Sequence, residues 1–403
     1  MFDEKSKELL QGLRVLELGT LIAGPFAGRI FSDFGAEVIK VETPKSGDPI
    51  RQWRMMHEDT SLWWYVQARN KKSITLNLKA EEGQHIIKEL AKETDIIIEN
   101  FRPGKLEEWG IGYKDLKAIN PKIIMVRISG YGQDGPYSKK PGFGSVGESI
   151  GGIRYLTGYP DRPPTRVGIS LGDSLASLYA VISSMMAIYN RDVVGTNEGQ
   201  YIDVALYEAV FSLMESMVPE YDYYKFIRER SGSSLPGIVP SNTYKCKDGK
   251  YIVIGGNGDS IFKRLMKAIG REDVGEDSNF SSNDLRAKQA DFLDGIITEW
   301  TLKHPMKGAQ EILDRYDVPN GPIYSIEDIM QDVHYQAREM IEEVEVENLG
   351  KLKMPGIIPK FSETPGKIKW PGPKLGEHND EVYKELLGFS EEKIAALKNK
   401  EII

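Results

Sequence analysis

The feature that most restricts the fold is an alternation of short apolar runs with helical patterns through residues 13–132. "LRVLEL", "AEVIKVE", "KSITLNL", "DIIIENF" and "KIIMVRISGYG" read as five strands. Between them, "GPFAGRIFSDFG" reads as a helix ending at Gly35, "AEEGQHIIKELAKET" as an amphipathic helix, and "YKDLKAINP" as a short helix closed by Pro121. Residues 51–68 show no clear period. Strands of nearly continuous Ile and Val, separated by helices, are what a parallel sheet covered on both faces requires. The expected class is therefore α/β, doubly wound and Rossmann-like.

With 403 residues the chain exceeds one compact core, so two domains are expected. Helical stretches at 172–191 and 207–229 precede a turn-rich boundary, "SGSSLPGIVPSNTY". Beyond it, "YKCKDGKYIVIGG" reads as a hairpin turning at Asp248-Gly249, followed by helical segments. The expected division is 1–225, a smaller α/β domain over 226–330, and a Pro- and Gly-rich return segment over 331–403 ending in two short helices.

Composition narrows the function. The formal charge is -8 and no basic block exceeds "KK", which argues against a nucleic-acid partner. A single cysteine, Cys246, excludes a disulfide framework and a clustered thiolate metal site. No metal site is expected. The five histidines leave the interval between His85 and His304 empty. The N-terminal sequence lacks a leader pattern and the apolar runs read as too short to span a bilayer, so a cytoplasmic protein without a membrane partner is expected.

Several stretches carry candidate chemistry. "VLELGTLIAGPFAGRIFSDFGAEVIKVE" is strand, turn, helix and strand, ending at Glu42. Gly19, Gly24 and Gly28 miss the dinucleotide spacing, although a turn at a helix start can receive another phosphate-bearing ligand. Asn100, Phe101 and Arg102 follow a strand's carboxyl end, the edge where open α/β sheets bind ligands. Arg102 and Lys105 are available there to an anion, or are simply solvated. The long glycine-rich loop "SGYGQDGPYSKKPGFGSVGESIGG" is of a length that favours a functional role.

"RVGISLGDSLASLYAVISSMMAIY" places Asp173 alone at the entry of an apolar run. One reading is an N-cap for a helix starting at Ser174. The other is a carboxylate nucleophile. An ordinary Asp is ionised at neutral pH and needs no general base, and helix amides can steady an oxyanion. Gly168 and Gly172 would leave room for a substrate.

These motifs together resemble class III coenzyme A transferases, the family of formyl-CoA and carnitine CoA-transferases. The resemblance runs in order through "LRVLELGTLIAGPFAGRIFSDFGAEVIKVE", "NKKSITLNLK", "IENFRPG", "ISGYGQDGPYSKKPGF", "GISLGDSLASLYA", "GTNEGQYIDVALYEA", "VPNGPI" and "LGEHNDEV". It implies that Asp173 is the nucleophile that passes through anhydride and aspartyl-CoA intermediates. It implies a CoA site at Ile22, Ala23, Leu76, Asn77, Leu78, Lys79, Asn100, Phe101, Arg102, Pro141, Gly142, Phe143 and Gly144. Coenzyme A would serve as co-substrate, with an acyl-CoA and a small carboxylic acid as partners and no other cofactor. A large domain built from both termini, a small inserted domain and an interlocked homodimer are also implied.

The chain departs from some relatives in having Thr43 where a basic residue meets a CoA phosphate, and Gly144 and Glu148 where many have Asp and Gln. The rival with the same fold is an α-methylacyl-CoA racemase, which pairs the aspartate with a histidine at the position of Phe143 and needs that acid–base partner. A non-catalytic CoA-binding module is the alternative from another class. Arg162 and Arg166, upstream of Asp173, hint at a dicarboxylate such as succinate.

Overall fold

The computed structural model describes residues 8–403; the first seven, part of the N-terminal sequence read above, lie outside it. Five parallel strands form where the Ile- and Val-rich runs fall: β1 (Arg14–Glu17), β2 (Glu37–Glu42), β3 (Lys71–Thr75), β4 (Ile96–Glu99) and β5 (Ile124–Ser129). A sixth, β6 (Tyr201–Ala205), pairs parallel with β5 and was missed because its alternation is short and half exposed. The order in the sheet is β3-β2-β1-β4-β5-β6, and every neighbouring pair is parallel.

Successive strand side chains face opposite ways, so each strand feeds two cores. Leu16, Ile39, Ile74, Ile97 and Met125 pack on one side against Ile86, Ile87 and Leu90 of the helix Glu81–Ala91. Val15, Val38, Ile96, Ile98, Ile124 and Val126 pack on the other. That second face receives α1 (Ala23–Asp33) through Ala23, Ala27 and Phe31, and the long helix Leu171–Ile188 through Ala176, Ala180 and Ala187. Small residues on both helices let their backbones approach the strands closely.

The structure divides into two compact units, one of 8–154, 167–225 and 337–403 and the other of Tyr155–Arg166 with Phe226–Gln336. Tyr155–Arg166 thus clusters with the second unit although it lies inside 1–225. In the second unit Ser241–Lys245, Tyr251–Gly255 and Asn320–Pro322 form a three-stranded antiparallel sheet. Gly249 takes a φ of 81° at the expected hairpin turn, and Cys246 is buried in the core with Ile252 and Leu265.

Residues 367–379 run along the outer edge of β3. Trp370 Nε1 donates to Lys71 O at 3.0 Å, Thr75 N–H donates to Asn379 Oδ1 at 2.9 Å, and Ser73 N–H donates to His378 Nδ1 at 3.2 Å. An open strand edge is thereby covered.

Three expectations are corrected. The helix bearing Asp173 starts at Leu171 with Ser170 as its N-cap, so Asp173 lies inside the first turn and is not a cap. The stretch 207–229 is not one helix but two, Leu206–Phe211 and Met217–Tyr224. Finally, the 23-residue stretch Leu171–Val193 holds an 18-residue window of mean hydropathy 1.4, long and apolar enough by length and composition to cross a membrane. Its composition follows from two apolar flanks, one packed on the sheet and one exposed, with charges only near its ends, at Asp173, Arg191 and Asp192.

Candidate active site

β1 and β4 are neighbours in the sheet, yet the chain leaves them in opposite directions, and the crevice outside their carboxyl ends is the place where such sheets bind ligands. Two turns border it, residues 19–22 and 100–102. Asn100 ties them together: Thr20 N–H donates to Oδ1 at 2.9 Å, and Nδ2 donates to Thr20 O at 2.8 Å. Gly19 permits this approach, since a Cβ there would lie 3.1 Å from Asn100 Oδ1.

The first turn is held from below by buried charges. Leu21 has a φ of 66°, a costly region for a non-glycine residue, and its N–H donates to the Asp48 carboxylate at 3.1 Å. Lys40, 1% exposed within β2, donates to Gly19 O at 2.8 Å and pairs with Asp48 at 2.9 Å. Burial opposes the Lys40 charge, but the surrounding Asp48, Glu17 and Glu42 outweigh it and raise its pKa. Burial alone would raise the Glu42 carboxyl too; its bonds from Arg51 hold it below the usual range. Glu42 is therefore committed to the scaffold.

A cavity of about 370 Å³ opens beside these strand ends, and Leu76, Asn77, Leu78, Lys79 and Phe101 of the expected set line it together with Thr43. Ile22 and Ala23 instead bury their side chains, leaving backbone as what that turn offers. Asn100 acts as the tie between turns, and Arg102 is exposed outside the cavity lining. Lys45 and Glu401, unforeseen from sequence, also line the cavity, and Lys45 Nζ lies 2.5 Å from Glu401 Oε1.

A second cluster surrounds Asp173. Ser177, one turn further along the helix, places its Oγ 2.7 Å from Asp173 O and 2.6 Å from Ala23 O, sharing its hydroxyl proton between two carbonyls. The nucleophile candidate is thus docked onto the first turn of α1. The loop that carries Pro141, Gly142 and Phe143 folds back on the end of β5, where a Cβ on Gly130 would lie 2.9 Å from Gly142 Cα. Gly144 then opens a short helix, Gly144–Ile150, directly against Asp173: a Cβ at 144 would sit 2.0 Å from Asp173 Oδ2. Phe143 is 66% exposed. Glu148, one turn on, is buried and accepts the Gly172 N–H at 3.3 Å.

The structure therefore brings Asp173, Gly144 and Ala23 together in one cluster, and residues 76–79 with Phe101 in another, both in the same unit. Sequence reasoning missed Lys40, Asp48 and Ser177. The one usable signal was a lysine within "VIKVE", since a strand buried on both faces keeps a charge only with a partner.

The profile of CoA-transferase family III matches residues 10–379. The chain is 48% identical over the full length of both proteins to a succinyl-CoA–D-citramalate CoA-transferase of Chloroflexus aurantiacus. It is 32% identical to the succinyl-CoA:glutarate CoA-transferase of Homo sapiens, covering 98% of this chain and 90% of that one. Among solved structures, a CAIB/BAIF family protein from Brucella suis superposes with a TM-score of 0.83 at 32% identity, covering 94% of this chain and 99% of that one. A parallel α/β sheet with a carboxylate at a helix entry, matched along nearly all its length by these relatives, identifies the chain as an enzyme of CoA-transferase family III.

Proposed function

We propose that the protein transfers coenzyme A from a dicarboxylyl-CoA donor, succinyl-CoA or a near analogue, to a free carboxylic acid through covalent intermediates on Asp173. The observation that carries the reading is the seating of Asp173: a half-buried carboxylate in a helix's first turn, against a glycine and tied to the ligand-side turn. The donor is proposed because relatives in Chloroflexus aurantiacus and Homo sapiens are named for succinyl-CoA.

A carboxylate oxygen of Asp173 attacks the thioester carbonyl carbon, the C–S bond breaks, and CoA leaves as thiolate, forming a mixed anhydride. The thiolate attacks the Asp173 carbonyl of that anhydride, releasing the donor acid and leaving an aspartyl-CoA thioester. The acceptor carboxylate attacks the thioester, again expelling the thiolate. Its final attack on the acceptor carbonyl yields the new acyl-CoA and restores Asp173. No step consumes a proton, so none calls for a general base. Racemisation would need a base opposite Asp173, and position 143 holds an exposed phenylalanine.

The nucleotide part of CoA is assigned to the 370 Å³ cavity, where Lys45 lies two residues beyond Thr43 and supplies the cation missing at that position. The proposed partner protein is a second copy of the chain. Supporting it, Leu178, Tyr179, Ile182, Met185, Met186 and Tyr189 form an exposed apolar flank on the Asp173 helix. We place the enzyme in the cytoplasm; cell fractionation tests that placement, and sedimentation tests the dimer.

Succinyl-CoA with borohydride or hydroxylamine should inactivate the enzyme and leave the modification on Asp173, read by peptide mass. Full turnover by Asp173→Ala would refute the reading.

A further inference from the structure

Gly144 and Glu148 lie one turn apart on the same side of their helix, and both meet the first turn of the Asp173 helix. Glu148 is 1% exposed and holds the Gly172 N–H through Oε1. Its Oε2 lies 3.6 Å from Arg154 Nη2, an ion pair too long for a hydrogen bond. Arg154 Nε is buried and has no hydrogen-bond partner among the described residues, while its side chain keeps 29% exposure. A guanidinium carries five donors in a fixed fork, and leaving them underused near a buried carboxylate is costly unless a further anion completes the set.

On the acyl-transfer reading above, we propose that Arg154 binds the distal carboxylate of the dicarboxylyl group whose thioester carbon meets Asp173. The series Arg154, Glu148, Gly172, Asp173 is continuous, so the cation and the nucleophile share one rigid frame. A four-carbon dicarboxylate has its two carboxyl carbons separated by two methylenes, so its distal carboxylate stays close to the reacting carbon and needs a cation in the same cluster as the nucleophile. Planar bidentate pairing with carboxylate is the chemistry at which arginine exceeds lysine. Glu148 orients the fork, and because it is engaged on Gly172 it registers the fork against the nucleophile's helix. A donor ending in methyl would leave the fork unpaired, the situation in which polar sites reject an analogue most strongly.

The experiment compares succinyl-CoA with butyryl-CoA, alike in length but ending in methyl, using one acceptor acid. Arg154→Met should lower kcat/KM at least tenfold for succinyl-CoA and less than threefold for butyryl-CoA, with Arg154→Lys intermediate. Because Arg154→Met removes the ion pair to a buried carboxylate, the double variant Glu148→Gln/Arg154→Met is measured alongside; the same loss of preference is expected. An unchanged succinyl-to-butyryl ratio in active single and double variants overturns the role of Arg154 alone. Wild-type enzyme that exchanges CoA with neither donor overturns the transfer reading and this inference together.

Discussion

The Ser177 hydroxyl stands 2.6 Å from the carbonyl oxygen of Ala23, joining the helix that carries Asp173 to the turn that begins α1. Both groups are buried, so neither finds water if the bond is lost. Ser177→Ala should cost about 1 kcal/mol, a typical net hydrogen bond, and lower kcat roughly fivefold as the nucleophile loses its register. Steady-state kinetics beside thermal unfolding checks this. An unaltered kcat with lowered stability would confine the bond to folding.

Gly144 has no room for a side chain, since a Cβ would sit 2.0 Å from Asp173 Oδ2. Gly144→Ala must push the carboxylate aside. A displacement of that order is expected to lower kcat on the order of a hundredfold, with the KM for acyl-CoA little changed. Equal losses in kcat and affinity would mean that the loop, and not the carboxylate, had moved.

At the cavity mouth Lys45 is 72% and Glu401 66% exposed, so their pair contributes little to folding and is easily displaced. Lys45→Met should raise the KM for acyl-CoA several-fold and flatten its dependence on salt, while Glu401→Gln should lower that KM. Initial rates across ionic strength decide it.

His378 accepts the Ser73 N–H through Nδ1, which only the neutral ring can do. Burial depresses its pKa below the usual histidine value, more than the nearby Glu377 and Glu381 raise it. With the folded pKa lowered, its stabilising contribution is present above the unfolded value of about 6.5 and is lost as pH falls through the folded value. Melting temperature should therefore fall between about pH 7 and 5, and His378→Asn should remove part of that slope. Parallel wild-type and variant curves would contradict it.

Sequence alone determined the five Ile- and Val-rich strands, the helices between them, the hairpin at Asp248-Gly249, and the family that Asp173 belongs to. These features are local: each is written in side-chain periodicity or in the turn chemistry of a few adjacent residues. Tertiary structure decided what depends on distant segments meeting. β6 became a strand only beside β5, because its own alternation is half exposed. Lys40 found Asp48 and Glu17, and Ser177 found Ala23, 154 positions away. Arg154 met Glu148 through the ion pair that folding brings together. Hydrogen bonds and ion pairs of this kind act over about 3 Å, and nothing in the order of residues along a chain specifies which partners folding will bring that close.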